Sequence, residues 1–239
     1  MTITDPTELG TILGVWGHPD DEAYLSAGIM AVAADAGQRV VCVTLTRGEL
    51  GTPDPVAWPP EKLAAERTRE LEACLRVIGV KEHHWFDYPD GGCADVEPEE
   101  PIGRLVELMT DVRPDTVLTF DPVGGTGHPD HIAACEWTTA AFARAGLTGS
   151  RLLYATKTPE WISEFFSVVD PGDVMMVEGM ELEELPFEEL AVYVKAEGAL
   201  LERKVAALAC QATQVTPFIE ATGEATYARL VAEEFFRSA

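Results

Sequence analysis

Two short segments of this chain concentrate the side chains able to do chemistry. One is His18-Pro19-Asp20-Asp21-Glu22. The other is Asp121-Pro122-Val123-Gly124-Gly125-Thr126-Gly127-His128-Pro129-Asp130-His131. The chain has five histidines, and three of them fall in these segments. Two imidazoles and a carboxylate make a three-point site for a divalent metal, with coordination positions left for water and substrate. Such a metal lowers the pKa of a bound water to about 7. A neighbouring carboxylate can take the proton, and a further imidazole can donate to a developing oxyanion. Simpler roles exist for the same residues. Aspartates at a helix start cap free N–H groups and favour the dipole, and a glycine-rich turn can carry surface histidines. Capping needs no imidazole at the strand end, however, and both segments occupy the same kind of position. His83 and His84 read as ordinary strand or loop residues.

The elements that must position these groups follow from hydrophobic periodicity. Apolar strands are predicted at Thr11 to Trp16, Arg39 to Thr46, His84 to Tyr88, Thr116 to Phe120 and Leu152 to Thr156. Helices are predicted at Glu22 to Ala36, Glu61 to Ile78, Pro101 to Val112 and His131 to Ala145. Strand and helix alternate, which calls for a mostly parallel sheet with helices on both faces. Each histidine segment follows a strand and opens a helix, the place where open α/β sheets bind ligands. Pro19 and Pro129 suit the first turn of a helix. The later chain reads as an exposed excursion from Pro159 to Pro186, with an acidic cluster at Glu181, Glu183 and Glu184. Helices are predicted near Ala196 to Gln211 and Glu224 to Arg237. No internal repeat or low-complexity linker divides the chain, so 1–239 reads as one domain.

Composition narrows the function classes. The hydrophobic fraction is 46% and the charged fraction 24%, ordinary for a globular protein. Forty-one acidic residues against 17 basic ones give a formal charge of −24, which disfavours nucleic acid and anionic membranes as partners. Five scattered cysteines without a Cys-x-x-Cys suggest buried thiols in a reducing compartment. The first residues lack a basic patch followed by an apolar run, and no apolar run reaches membrane-spanning length. The expectation is a soluble, cytoplasmic protein with no membrane insertion.

The two histidine segments, in order and in context, resemble those of the PIG-L or LmbE-like family of metal-dependent N-acetylglucosaminyl deacetylases. Smaller features are similar too: Thr46-Arg47-Gly48-Glu49, Glu66-Arg67, Tyr88-Pro89-Asp90-Gly91, and a C-terminal helix from Lys204 to Gln214. Gln211 stands where a histidine is common in the family, so that histidine's role does not carry over. The resemblance implies a Rossmann-like three-layer α/β fold. It implies that His18, Asp21 and His131 bind the metal, usually zinc, with ferrous iron as an alternative. It implies that Asp20 is the general base, that a protonated His128 stabilises the oxyanion, and that Asp130 orients His128 and raises its pKa by its charge. Arg67 and Asp90 become candidate contacts for sugar hydroxyls, each with an alternative as a plain helix charge or turn aspartate. Glu22 is expected to support or cap. The implied reaction is hydrolysis of an N-acetyl or related N-acyl group on a small amino sugar or its conjugate.

Other readings of the same residues remain. One is an amidase of a thiol conjugate or natural-product intermediate. Another is a non-catalytic metal-binding module. Two histidines and a carboxylate also serve iron-dependent oxygenases, although those sit on all-β folds. A phosphate-binding Rossmann protein lacks its Gly-x-Gly-x-x-Gly here, and a serine hydrolase lacks its Gly-x-Ser-x-Gly elbow.

Overall fold

A computed structural model describes residues 2–177, 179–180 and 182–239. Glu181, one of the three acidic residues noted above, lies outside the described residues. Seven strands form one sheet: β1 (Ile12–Trp16), β2 (Val40–Thr46), β3 (Glu82–Tyr88), β4 (Thr116–Thr119), β5 (Arg151–Ala155), β6 (Val192–Lys195) and β7 (Glu233–Ser238), in the order β3-β2-β1-β4-β5-β7-β6. The first five are parallel, and β7 runs antiparallel to both of its neighbours. Strands β1 and β2 are buried along their whole length, as their unbroken apolar sequences require.

The helices are α1 (Asp21–Asp35), α2 (Pro60–Ile78), α3 (Glu99–Val112), the short turn α4 (Gly124–Gly127), α5 (Pro129–Ala145), α6 (Pro159–Phe166), α7 (Ala199–Ala209), α8 (Ala212–Thr222) and α9 (Glu224–Leu230). Helices α1, α2 and α7 pack together, as do α3 and α5, giving a helical layer on each side of the sheet. The strand order reverses between β1 and β4. At such a switch point the loops leave a crevice beyond the carboxyl ends of the strands.

The first two thirds of the chain matches the sequence expectation to within a few residues. The last third departs from it. The helix expected from Glu224 to Arg237 stops at Leu230, and the chain returns as β7. Phe236 faces the main core, while Phe235 packs beside Tyr193 on the opposite face. Strand β6, unread in the sequence, closes the edge. Pairing across the sheet overrides a helix-like local composition here, because strand preference depends on neighbours. The excursion from Pro159 begins as helix α6, and Glu183 pairs with Arg237 at 3.0 Å.

One buried ion pair locks β7 to the site-bearing helix. The ammonium of Lys204 donates to Glu234 at 2.6 Å and to the Tyr24 carbonyl at 3.0 Å. Glu234 in turn accepts the N–H groups of Gly28 and Ile29 on α1 at 2.7 and 2.8 Å. Both charged groups are paired and hydrogen-bonded, which is what their burial demands.

Candidate active site

The two histidine segments meet at the β1–β4 crevice. His18 follows β1, and Asp20 and Asp21 stand at the start of α1. His128, Asp130 and His131 open α5. From the side come Arg67 on α2 and Asp90 in the turn after β3. All eight residues singled out from the sequence therefore converge.

The two imidazoles come within contact distance: His18 Nδ1 lies 3.0 Å from His131 Nε2. Asp21 lies beside both, with Oδ1 at 3.4 Å from His131 Nε2 and Oδ2 at 3.6 Å from His18 Nδ1. The far nitrogen of each ring is already engaged. His131 Nδ1 faces the Gly124 carbonyl at 3.1 Å, so it carries the hydrogen. His18 Nε2 faces Asp130 Oδ2 and Asp90 Oδ1, each at 3.1 Å, so it carries one too. With both rings neutral, the two facing nitrogens present lone pairs. Two lone pairs this close, next to a carboxylate, repel unless a cation or a proton lies between them. A nitrogen–nitrogen–oxygen set with its outer nitrogens held by carbonyl and carboxylate fits zinc or ferrous iron. The ligand atoms of His18, His128 and His131 also lie within 4.8 Å of one another, as do those of His18, Asp90, His128 and Asp130.

The electrostatics follow the same contacts. Burial disfavours a charge on His18, but Asp130, Asp21 and Asp90 outweigh it and raise its pKa well above the usual imidazole value. Burial works against the Asp21 charge, yet His131 and His18 depress its pKa strongly. Burial dominates at His131, which falls to about 4 despite Asp21.

Asp20 is unlike its neighbours. Its φ is +112°, in the region that L-residues seldom occupy. It stands at the N-cap of α1, but its side chain makes no capping bond, so the capping role considered from sequence is not the one it plays. Its backbone N–H donates to Glu22 at 3.1 Å, and Arg67 Nη2 donates to its carboxylate at 3.2 Å. Burial pushes the Asp20 carboxyl up to about 7, against the pull of Arg67. A carboxylate poised near neutrality suits a general base.

Arg67 is no exposed helix charge; it is 3% exposed. It donates to the carbonyls of Pro19 and Gly48 as well as to Asp20. Gly48 makes this possible: its φ is +62°, and a Cβ there would sit 2.1 Å from Arg67 Nη1. Glu22 lies beneath Asp20, fully buried, and burial raises it to about 8. Gln211, where the family often has histidine, donates to Glu22 at 2.9 Å.

His128 is held differently from the sequence expectation. The carboxylate of Asp130 turns to His18 and accepts the N–H groups of Gly91 and Cys93 at 2.7 and 3.0 Å. The backbone N–H of Asp130 reaches His128, donating to Nδ1 at 3.1 Å. Nδ1 is thus a lone pair, and neutral His128 keeps a hydrogen on Nε2. Burial and the nearby His18 lower its pKa, although Asp130 acts in the opposite direction.

Sequence reading missed three supports. Phe120 stacks on His131 with ring centroids 4.0 Å apart and planes 8° from parallel. Glu49 accepts the Asp90 N–H at 3.0 Å. The Gly124 carbonyl fixes the His131 tautomer. Only Glu49 had a local signal, in its place beside Gly48. His83 bonds Thr44 at 3.0 Å within the β2–β3 pair and takes no part in the cluster.

Comparison with known proteins identifies the family. The family described as PIG-L, GlcNAc-PI de-N-acetylase, matches residues 13–142, which include both histidine segments. The chain belongs to the PIG-L family. It is 31% identical to the 1D-myo-inositol 2-acetamido-2-deoxy-alpha-D-glucopyranoside deacetylase of Kineococcus radiotolerans, over 91% of this chain and 74% of that one. Among solved structures it resembles N,N'-diacetylchitobiose deacetylase from Pyrococcus horikoshii, with TM-score 0.63 and 22% identity, covering 98% of this chain and 86% of that one. It also resembles the 4-carboxy-2-hydroxymuconate hydratase of Pseudomonas putida, with TM-score 0.63 and 18% identity over 96% of each chain. At such identities a structural likeness shows the fold alone, and this fold carries more than one reaction.

Proposed function

We propose that this PIG-L family member is a metal-dependent amide hydrolase that removes an N-acyl group from a small amino sugar or amino-sugar conjugate. The observation that carries the reading is the pair of facing imidazole nitrogens, 3.0 Å apart, beside Asp21, with a strained, neutral-range Asp20 alongside. The curated relative from Kineococcus, named as the deacetylase of an inositol-linked amino sugar, supports the substrate class.

His18, Asp21 and His131 would hold the metal, zinc or ferrous iron. When bound, such an ion supplies Lewis-acid polarisation of the amide carbonyl and a water acidified to about pKa 7. Asp20 takes a proton from the attacking water at its carboxylate, and Arg67, itself held by the Pro19 and Gly48 carbonyls, fixes that carboxylate through one hydrogen bond. His128 donates from Nε2 to the oxygen on which negative charge develops, a role that needs its hydrogen placed in advance. Asp130 locks His18 through its carboxylate and His128 through its backbone, so it positions both. Asp90 contributes to the His18 lock and leaves its turn at the mouth of the site, where a sugar hydroxyl could meet it. The products are a carboxylate and a free amine.

The test uses purified enzyme, N-acetylglucosamine conjugates and water enriched in oxygen-18. Hydrolysis predicts a new primary amine and heavy oxygen in the released carboxylate, both abolished by a chelator. Absence of a new amine from every conjugate, with the metal bound, would overturn the reading.

A further inference from the structure

The metal-binding cluster lies between two unlike flanks. On the β2–β3 side stand Arg67, Asp90 and Glu49, each hydrogen-bonded. On the β5–β7 side a cavity of about 330 Å³ opens directly from Asp21 and His131. Leu25, Trp161, Phe165, Phe166, Phe218 and Val231 form its walls. Trp161 and Phe165 stack with centroids 4.7 Å apart.

Three of the charged groups around this cavity are engaged elsewhere, and the fourth, Lys157, packs on its wall. Asp121 accepts the Gly125 N–H at 2.8 Å. Glu183 pairs with Arg237 at 3.0 Å, and Glu233 accepts the Tyr193 hydroxyl at 2.7 Å. The Lys157 ammonium lies over the Trp161 ring, 4.3 Å from its centroid. What the cavity offers an incoming group is therefore mainly apolar surface.

An N-acylated sugar has one polar side and one apolar side. Its hydroxyls match the Arg67–Asp90 flank, and its acyl group matches the aromatic flank. The volume exceeds what acetyl needs: it has room for roughly ten groups of water size, whereas an acetyl methyl fills about one. Resting on the amide-hydrolase reading above, we infer that this cavity is an acyl-chain pocket, and that the enzyme removes an aliphatic N-acyl group longer than acetyl. The acyl carbon–nitrogen bond breaks and a bond to water oxygen forms. The amine takes a proton, and the acyl group leaves as a medium-chain carboxylate. No further reactant is required.

The experiment compares kcat/KM of the metal-loaded enzyme on glucosamines carrying acetyl through decanoyl groups. Each methylene buried in an apolar site contributes up to about fourfold. Six methylenes separate acetyl from octanoyl, so the expected rise is up to about 4,000-fold, and about 60-fold if half of that contribution is realised, mostly through KM. Ala155→Trp, which fills the cavity, and Phe166→Asp, which charges its wall, should each flatten that ratio. A second readout needs no turnover. Decanoate should quench tryptophan fluorescence where acetate does not, and Trp161→Phe should remove most of the change.

A kcat/KM that is highest for acetyl and falls with chain length overturns the proposal. So does a length-independent kcat/KM that rises instead when an octyl group is placed on the sugar's anomeric oxygen. Failure to cut any N-acyl sugar overturns the hydrolase reading; decanoate binding in that same protein then decides whether the pocket falls with it.

Discussion

The tripeptide His-Pro-Asp occurs twice in this chain, each time between a strand and a helix, and it folds in two ways. At His128 the helix begins inside the tripeptide: the imidazole caps it, Pro129 is its first residue, and Asp130 sits in regular helix, fully buried. At His18 the helix begins after the tripeptide, and Asp20 is left at its cap with φ +112°. A shift of two residues in the helix start separates the aspartate proposed as a support from the one proposed as the base. Asp130 spends its oxygens on His18 and two backbone N–H groups, whereas Asp20 keeps a carboxylate partly open beside the metal-binding cluster. Local sequence sets the chemistry available, and the register of the helix start sets which residue performs it.

The largest effect should come from the ligand set itself. His131→Ala is expected to abolish metal retention and activity together, read by elemental analysis and amine release on the same sample. Retained metal at wild-type stoichiometry would remove His131 from the ligands. Next comes the reactive aspartate. Asp20→Asn should keep the metal and lower kcat by about 10²–10⁴-fold, the usual contribution of general acid–base catalysis. Near-normal turnover would transfer the base role elsewhere.

The supporting aspartate should behave differently. Asp130→Asn leaves a buried N–H without its acceptor and loosens His18. It should cost about 1–3 kcal/mol of stability, read from a urea midpoint. Metal affinity should fall by about 10–100-fold, as removal of a group that orients a ligand usually does. Unchanged affinity with unchanged stability would erase the distinction between the two tripeptides. The smallest effect belongs to a histidine outside both segments. His84 is exposed on β3, and His84→Ala should move stability by no more than about 0.5 kcal/mol and leave kinetics unaltered.

Much of this was legible in the sequence. Unbroken apolar strands followed by helix-opening polar clusters fixed the parallel half of the sheet and the edge where the site must lie. Arg39 to Thr46 read as a buried strand and both histidine segments as strand ends opening helices, whereas the adjacency of β1 and β4 that joins His18 to His131 came only with the strand order. The C-terminal strands were not legible, because Glu233–Ser238 is a strand only through its insertion between β5 and β6. Nor was the burial of Arg67 legible, since it depends on Gly48 letting two loops approach. The positive φ of Asp20 and the backbone bond to His128 are likewise products of packing, and the residue types alone do not announce them.

The proposed function rests on His18, Asp21 and His131 holding one catalytic divalent ion. The most direct measurement strips the protein with a chelator, removes the chelator, and titrates zinc or ferrous iron back while following amine release from an N-acyl glucosamine. The stripped protein should be inactive, and recovery should rise linearly and break at one equivalent, with no recovery in His131→Ala. Full activity of the stripped protein, or equal recovery by the His131→Ala variant, would contradict it.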